Sequence, residues 1–270
     1  MRTWANAPIS YVLALVRFPA VAGMEDFVSA FGQEVEDIYP RRTEHMNQVA
    51  LAEFGSEGMK FKTSQQTFWQ FSREDRSRAV MIGPDFIVLH CIVSGYSGHE
   101  AFVTEIISML GKLSSLPGIT LTHLTSMGYR YVNLVIPAEG EMLSKYLASW
   151  VIPFEGPPTD IGNMDFVDSV SVSAFRTRQG VLRFQVARRP STTIPPDLDS
   201  LFVRENDWVV DRPSGDFVLL DLDHGQQFSA PVALSEEDAI RTMIEVCQVS
   251  RKLFHMSVTP LARQTWEGGR

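Results

Sequence analysis

The chain has 270 residues, of which 44% are hydrophobic and 21% are charged, as in a typical soluble globular protein. Its 24 basic and 32 acidic residues give a net charge of −8, which argues against bulk binding to nucleic acid or to an anionic membrane. Two cysteines are too few for a disulfide framework, and no segment approaches the roughly 18 apolar residues of a membrane span, so we expect a cytoplasmic protein.

The first 150 residues contain the patterns of several strands and two helices. The apolar run ISYVLALVRF, Ile9–Phe18, predicts a central strand that is covered on both faces. Apolar residues at helical spacing between 24 and 38 predict a helix that Pro40 ends. Residues 41–64 are polar without clean periodicity, and we interpret them as a connecting loop. The remaining predictions are a hairpin of Gln66–Ser72 and Ser77–Gly83, a strand at Asp85–Val93, and a helix at Ser97–Leu113 with Ser97 and Glu100 as a capping box. From Ile119 to Ile136 we expect either one long strand or two strands with a bulge near Met127 and Gly128.

The segment VIPFEGPPTD, residues 151–160, is rich in proline and glycine and predicts a linker. Beyond it we expect a hairpin around TRQG, a loop at TTIPPDLD, a strand at DFVLLDLDH and a long helix capped by Ser235. The predicted fold class is therefore α+β, with two similar halves of mostly antiparallel sheet and a long helix packed on each. The predicted domains are residues 1–150 and 161–270.

Polar residues interrupt an otherwise apolar strand in TSMGYRYVNLVIP. Alternation places Arg130 on one face of this strand, and Tyr129, Tyr131 and Asn133 on the other. Because a buried charge needs a partner, we expect Arg130 to pair with a carboxylate and Asn133 to bond to backbone or to a neighbour. The alternative is that these residues line a binding cleft between the two halves.

The motif DLDH places two carboxylates, Asp221 and Asp223, on one face of a strand and His224 on the other. Such a pair suits a divalent cation or arginines, but further metal ligands are not evident in the sequence. The simpler interpretation is a solvated acidic face at the end of a strand. These two carboxylates complete the candidate polar network or cleft with Tyr129, Arg130 and Asn133.

The hairpin region from Ser169 to Pro196 contains no acidic residue. On an acidic protein this is a local reversal of charge, and arginine forks suit carboxylates or phosphates. The alternatives are a solvated hairpin balanced by acids such as Asp221 and Asp223, or a face that binds a partner. The candidate binding residues are Arg176, Arg178, Arg183, Arg188 and Arg189.

No complete catalytic or cofactor motif is present in the sequence. SGYSGHE follows a strand and opens a helix, but it lacks the second glycine of the G-x-S-x-G nucleophile elbow. The histidines lack the spacing of a zincin, and no glycine-rich phosphate loop occurs. We therefore predict no catalytic residue, no metal and no cofactor.

The order of several segments resembles a sporadically distributed bacterial family of about this length without an assigned function. The resemblance rests on LALVRFP, WQFSREDRSRAVMIGPDFIVLH, YSGHEAF, GYRYVNLVIP, LLDLDH and LFHMSVTPLARQTW, and it spans nearly the whole chain. It implies that Gly128, Tyr129, Arg130, Tyr131 and Asn133 are characteristic of the fold. Where family members commonly have an arginine before this glycine, the chain has Met127. The sporadic distribution implies a place in a toxin–antitoxin or phage-defence operon.

Three functions are compatible with these patterns. The leading hypothesis is a non-catalytic protein that binds another protein encoded nearby, or a second copy of this chain. The second is an enzyme in which Arg130 holds an anionic substrate while Asp221, Asp223 and His224 act as acid–base or metal-binding groups. The third is a nucleic-acid binder that uses the arginine hairpin, against which the net charge of −8 argues.

Overall fold

The computed structural model describes residues 7–55, 58–152, 166–201, 211–233 and 235–267, with side chains described outside 47–65 and 199–201. Its strands are β1 (Ile9–Arg17), β2 (Arg41–Gly55), β3 (Gly58–Ser72), β4 (Arg78–Gly83), β5 (Phe86–Ile92), β6 (Leu124–Val135), β7 (Ser169–Thr177), β8 (Gly180–Arg188) and β9 (Val218–Val232). Its α-helices are α1 (Val28–Val35), α2 (His99–Ser114), α3 (Pro196–Leu201), α4 (Glu236–Ser257) and α5 (Pro260–Glu267). Single 3-10 turns occupy Met24–Phe27, Val93–Gly95 and Leu143–Lys145.

The strands form one nine-stranded sheet in the order β2-β3-β4-β5-β1-β6-β9-β8-β7. Every neighbouring pair is antiparallel, which confirms the α+β class. The sheet includes strands from both predicted halves, because β6 pairs with β9. The predicted division at residues 151–160 falls mostly outside the described residues, and the two similar halves stay a prediction.

The two long helices lie on the same face of the sheet. Helix α2 contacts β5 and β1, α4 contacts β6 and β9, and the two helices contact each other. Alternate residues of β1 lie in two different hydrophobic cores. Val12 and Ala14 lie in the core beneath the helices, whereas Tyr11 and Leu13 lie in the core on the opposite face. This double burial confirms β1 as a central strand. We call the face opposite α2 and α4 the second face.

The predicted loop at 41–64 is wrong, because these residues lie mainly in β2 and in the first half of β3. These two strands pair with each other from Arg41 and Ser72 to Gly55 and Gly58. Strand β3 pairs with β4 only over Trp69–Ser72. These strands were missed because residues 41–64 lack the period-2 alternation of apolar and polar residues by which a strand is predicted.

Three local predictions also need correction. Ser97 does not cap α2, since the N-cap is Gly98 with φ 101° and no side-chain cap bond. The Ser97 hydroxyl instead accepts a hydrogen bond of 3.1 Å from Arg78, which competes with capping. The predicted TTIPPDLD loop turns into α3 at Pro196, because a proline is suited to the first helical position. The structure has one continuous strand here, β6, and its register with β9 shifts between Leu124 and Ser126 rather than near Met127 and Gly128.

Other predicted features agree with the structure. The β3–β4 and β7–β8 hairpins are confirmed, and the Ser235 hydroxyl caps α4 by accepting a bond of 3.1 Å from the Asp238 amide. Among the described residues, none of the helices combines the length and the apolar character needed to cross a membrane.

Candidate functional site

The register of the sheet places Arg130 in a row of charged residues on the second face. Arg130 of β6 is the direct cross-strand partner of Leu13 on β1 and of Asp223 on β9. Asp223 is in turn the direct partner of Arg183 on β8. Because direct partners in a sheet point to the same face, these side chains lie side by side.

Arg130 uses all three of its guanidinium nitrogens in bonds to two aspartates. Toward Asp221, Nε donates to Oδ1 at 2.8 Å and Nη2 to Oδ2 at 2.7 Å. Toward Asp197, Nη1 donates to Oδ2 at 2.6 Å and Nη2 to Oδ1 at 3.0 Å. Both contacts are bidentate, the strongest geometry for this kind of ion pair. Four of the five N–H donors of the guanidinium are thereby used by the chain itself.

Burial and charge act differently on the members of this network. Arg130 is 6% exposed and Asp221 4% exposed. Burial opposes the charge of Arg130, but the hydrogen bonds that it donates to Asp221 and Asp197 prevail and raise its pKa. Asp197 is the second residue of α3, and its side chain is half-exposed. Burial tends to raise the pKa of this carboxyl, but the hydrogen bond from Arg130 prevails and lowers it. The network therefore joins the sheet to the short helix above it.

Asp223 differs from Asp221, although both lie on the same face of β9. The Asp223 side chain is half-buried and forms no hydrogen bond to any other described residue. Burial raises the pKa of Asp223, and Arg130 opposes this effect. The predicted solvated acidic face is wrong for Asp221, because Arg130 and the α3 segment cover it.

Asn133, Tyr129 and Tyr131 point to the helix side of the sheet. The Asn133 amide donates to the Leu220 carbonyl at 3.4 Å, so a neighbouring strand satisfies it. The Tyr131 hydroxyl lies 2.8 Å from the Cys247 Sγ of α4. Burial raises the pKa of the Cys247 thiol to about 12 and raises the pKa of both tyrosines. These groups are neutral at physiological pH and tie β6 to α4.

His224 also points to the helix side, away from the aspartates. Its Nδ1 lies 2.7 Å from the Val246 carbonyl and its Nε2 lies 2.9 Å from the Thr177 hydroxyl. Since a carbonyl only accepts, Nδ1 carries a proton, and burial lowers the pKa of the ring. The four residues of the enzyme hypothesis, Arg130, Asp221, Asp223 and His224, therefore do not converge on one point.

The five hairpin arginines separate into two groups. Arg188 donates to Asp216 through Nε at 3.0 Å and Nη2 at 2.7 Å, and Arg189 donates to the same carboxylate at 3.0 Å. Asp216 thus balances Arg188 and Arg189 at the base of the hairpin, while Asp223 lies directly opposite Arg183 on the neighbouring strand. The other three arginines are exposed and form no ion pair with a carboxylate within the described part of the chain; they are Arg176, Arg178 and Arg183.

Two acidic partners escaped the sequence analysis. Asp197 lies in a segment interpreted as a loop, although its Pro-Pro-Asp sequence is a helix-start signal. Asp216 is the first residue of the predicted strand DFVLLDLDH and lies just before β9, and only the register of β8 beside β9 places it near Arg188, the partner of Val218. Among the described residues, no group of three or more His, Cys, Asp or Glu side chains is arranged to hold a metal ion.

Comparisons with known proteins give no match for this chain, either among family models or among curated proteins. Its function is therefore argued from the geometry of the described residues.

Proposed function

We propose that this chain is a non-catalytic, cytoplasmic protein-binding component whose β7–β8 hairpin recognises an acidic surface of another protein. The observation that supports this proposal is the group of uncompensated arginines at the edge of the sheet. Arg176, Arg178 and Arg183 are exposed, and none forms an ion pair with a carboxylate among the described residues. On a chain with a net charge of −8, such a cluster of positive charge favours a partner with an acidic surface.

The backbone of β7 provides a second binding feature. It is the last strand of the sheet, and within the described residues no strand pairs with its outer side. Exposed strand edges pair readily with a strand from another chain, which gives affinity through main-chain hydrogen bonds. Val170 is 59% exposed and Val172 is 50% exposed on the second face of this strand, so apolar contacts are also offered.

The charge-assisted contacts would determine which partner is chosen. Arginine binds carboxylates through a planar fork, and complementary charge raises the association rate more than it raises the final affinity. The resemblance to a sporadically distributed family supports the further proposal that the partner is encoded nearby, as a toxin or a defence effector.

The experiment is affinity capture of the tagged full-length chain, co-expressed with its neighbouring gene products. The double charge reversal Arg176→Glu/Arg178→Glu should lower the recovered partner by at least about tenfold, because two charge-assisted contacts become repulsive. Arg42→Glu is the matched control, since Arg42 is exposed on β2 at the opposite edge of the sheet. Recovery of the chain alone, or equal recovery by the double variant, would contradict the proposal.

Two further measurements separate this function from its alternatives. Amide hydrogen exchange should slow in β7 when the partner binds, if the partner adds a strand there. Nucleic acid would instead give binding to oligonucleotides that weakens steeply with salt, because arginine contacts to phosphates release counterions. Such a salt response in the absence of protein partners would favour nucleic-acid binding and count against this proposal.

A further inference from the structure

A trough of about 470 Å³ crosses the second face beside the Arg130 network. Its floor is formed by Gly128 of β6 and Gly225 of β9, which are direct cross-strand partners. The same row continues on either side, with Leu15 opposite Gly128 and Val181 opposite Gly225. Two apolar side chains therefore flank a strip of bare backbone that is two strands wide. We call this feature the glycine trough.

Neither glycine is required by packing around it. A Cβ atom on Gly128 would come no closer than 3.6 Å to the His224 carbonyl oxygen, and one on Gly225 no closer than 3.7 Å to the Met127 carbonyl oxygen. Both are ordinary van der Waals distances, and neither glycine has the positive φ that excludes other residues. Alanine would fit both sites and would stabilise the strands, because glycine loses more conformational freedom on folding than any other residue. Glycine inside a strand often marks a place where a ligand or another backbone approaches closely.

Charged groups line the next row of the trough. Arg183 is exposed, and its one hydrogen bond within the described residues is a long contact of 3.4 Å to the Gln185 side-chain oxygen. Asp223, its direct cross-strand partner, forms no ion pair with it and no hydrogen bond to other described residues. The Arg183 guanidinium and the Asp223 carboxylate thus lie beside the glycine floor, and both retain unused hydrogen-bonding capacity.

The trough is continuous with the hairpin surface proposed above. Arg176 of β7 is the direct partner of Val181, so it lies at the outer end of the floor row. The described residues that border the trough therefore include two exposed arginines, Arg176 and Arg183, and one half-buried carboxylate, Asp223. The balance of accessible charge favours an occupant that carries a carboxylate.

We propose that the glycine trough anchors a segment of the protein partner in which a planar aromatic side chain adjoins an acidic residue. The ring lies on the peptide surface of Gly128 and Gly225, as aromatic side chains cover strand glycines in sheets. The neighbouring carboxylate binds Arg183, and a backbone N–H of the segment donates to Asp223. This inference rests on the proposed protein-binding role, since it names the chemistry of the partner at the same surface.

Three end-capped peptides test the chemistry directly on the full chain. They contain Glu-Trp-Glu, Lys-Trp-Lys or Glu-Ala-Glu between glycines, so that they separate the contributions of the ring and of the charge. We expect the Glu-Trp-Glu peptide to bind at least about tenfold more tightly than either of the others, with NMR shifts at Gly128 and Gly225. Equal or tighter binding of the Lys-Trp-Lys peptide, or shifts confined to other surfaces, would overturn the inference.

Variants then locate the binding to the trough. Gly225→Leu should fill the floor and abolish binding. Gly225→Ala is the control, since its smaller side chain fits the site and should keep or raise the melting temperature. Because Gly225→Leu also risks misfolding, Arg183→Gln provides an exposed second variant that should weaken the Glu-Trp-Glu peptide by about tenfold. Unchanged binding by a folded Gly225→Leu protein and by Arg183→Gln would refute the trough as the site.

The two proposals fail in different ways. If Arg176→Glu/Arg178→Glu loses the captured partner while Gly225→Leu and Arg183→Gln retain it, the trough is not the anchor and the hairpin function stands. If the double reversal captures the partner as well as the unmodified chain does, the hairpin function fails whatever the peptides show.

Discussion

Replacing Arg130 with methionine should destabilise the protein far more than removing the carboxylate it faces. Methionine has a similar length but no charge, so Asp221 would remain 4% exposed without its cation. Stranding one member of a buried ion pair typically costs about 3–5 kcal/mol. The Asp197 contact adds little, about 0–1 kcal/mol, because that side chain is 50% exposed to water.

Removing the charge of the partner instead, by Asp221→Asn, should lower the free energy of unfolding by less, at about 1–3 kcal/mol. Arg130 keeps a bidentate partner in Asp197, with bonds of 2.6 and 3.0 Å, so its charge is not stranded. The double variant Arg130→Met/Asp221→Leu should recover most of the lost stability, since apolar replacements of buried pairs are often neutral. The expected order of damage follows from the geometry, because the arginine has two partners and Asp221 has one.

Urea unfolding followed by circular dichroism measures all three variants, with Arg178→Ala as a surface control that should change stability by less than about 0.5 kcal/mol. Acidification should narrow the difference between Arg130→Met and the unmodified chain, because the stranded Asp221 carboxyl can then bind a proton. An Arg130→Met protein as stable as the unmodified chain, or one less damaged than Asp221→Asn, would refute the reasoning.

Three further predictions concern the hairpin and α4. Burial tends to raise the pKa of Asp216, but hydrogen bonds from Arg188 and Arg189 outweigh it and lower the pKa. The contribution of Asp216 to folding stability should therefore be complete above about pH 4 and be lost as the pH falls through the lowered pKa. Asp216→Asn should flatten that part of the stability–pH curve. Gly180→Ala should cost at least about 1–3 kcal/mol in thermal melts, because φ is 135° and its Cβ would lie 2.2 Å from the Gly225 oxygen, whereas an unchanged melt would show that the turn relaxes freely. Ser235→Ala should cost about 1 kcal/mol by urea unfolding, with Ser235→Asp retaining most of it, since either oxygen can accept the Asp238 amide bond.

The elements that were predicted correctly share a local physical cause. The β7–β8 hairpin follows from a turn sequence between two strand-like runs, and the start of α4 follows from Ser235 as its cap. The β2–β3 hairpin lacks such a local signal, since residues 41–64 show no clean alternation in the sequence, and β3 pairs with β4 only over Trp69–Ser72. Register between distant strands is likewise invisible in the local pattern.

The candidate site shows the same limit. The need of Arg130 for a carboxylate was predictable from burial, and Asp221 was among the named residues. The second partner, Asp197, depends on where α3 lies over the sheet, which no local pattern determines. The glycine trough also required the pairing of β6 with β9, since only that register brings Gly128 beside Gly225.

The central place of β1 has a consequence for how the chain folds during synthesis. Leu13 pairs with His90 on one side and with Arg130 on the other, so the first strand waits for partners made about a hundred residues later. At a translation rate of roughly 5–20 residues per second, an apolar strand remains unpaired for several seconds or longer. Such distant pairing slows folding and exposes the nascent strand to association with other chains. We therefore expect a ribosome-bound chain that stops before β6 to depend strongly on chaperones.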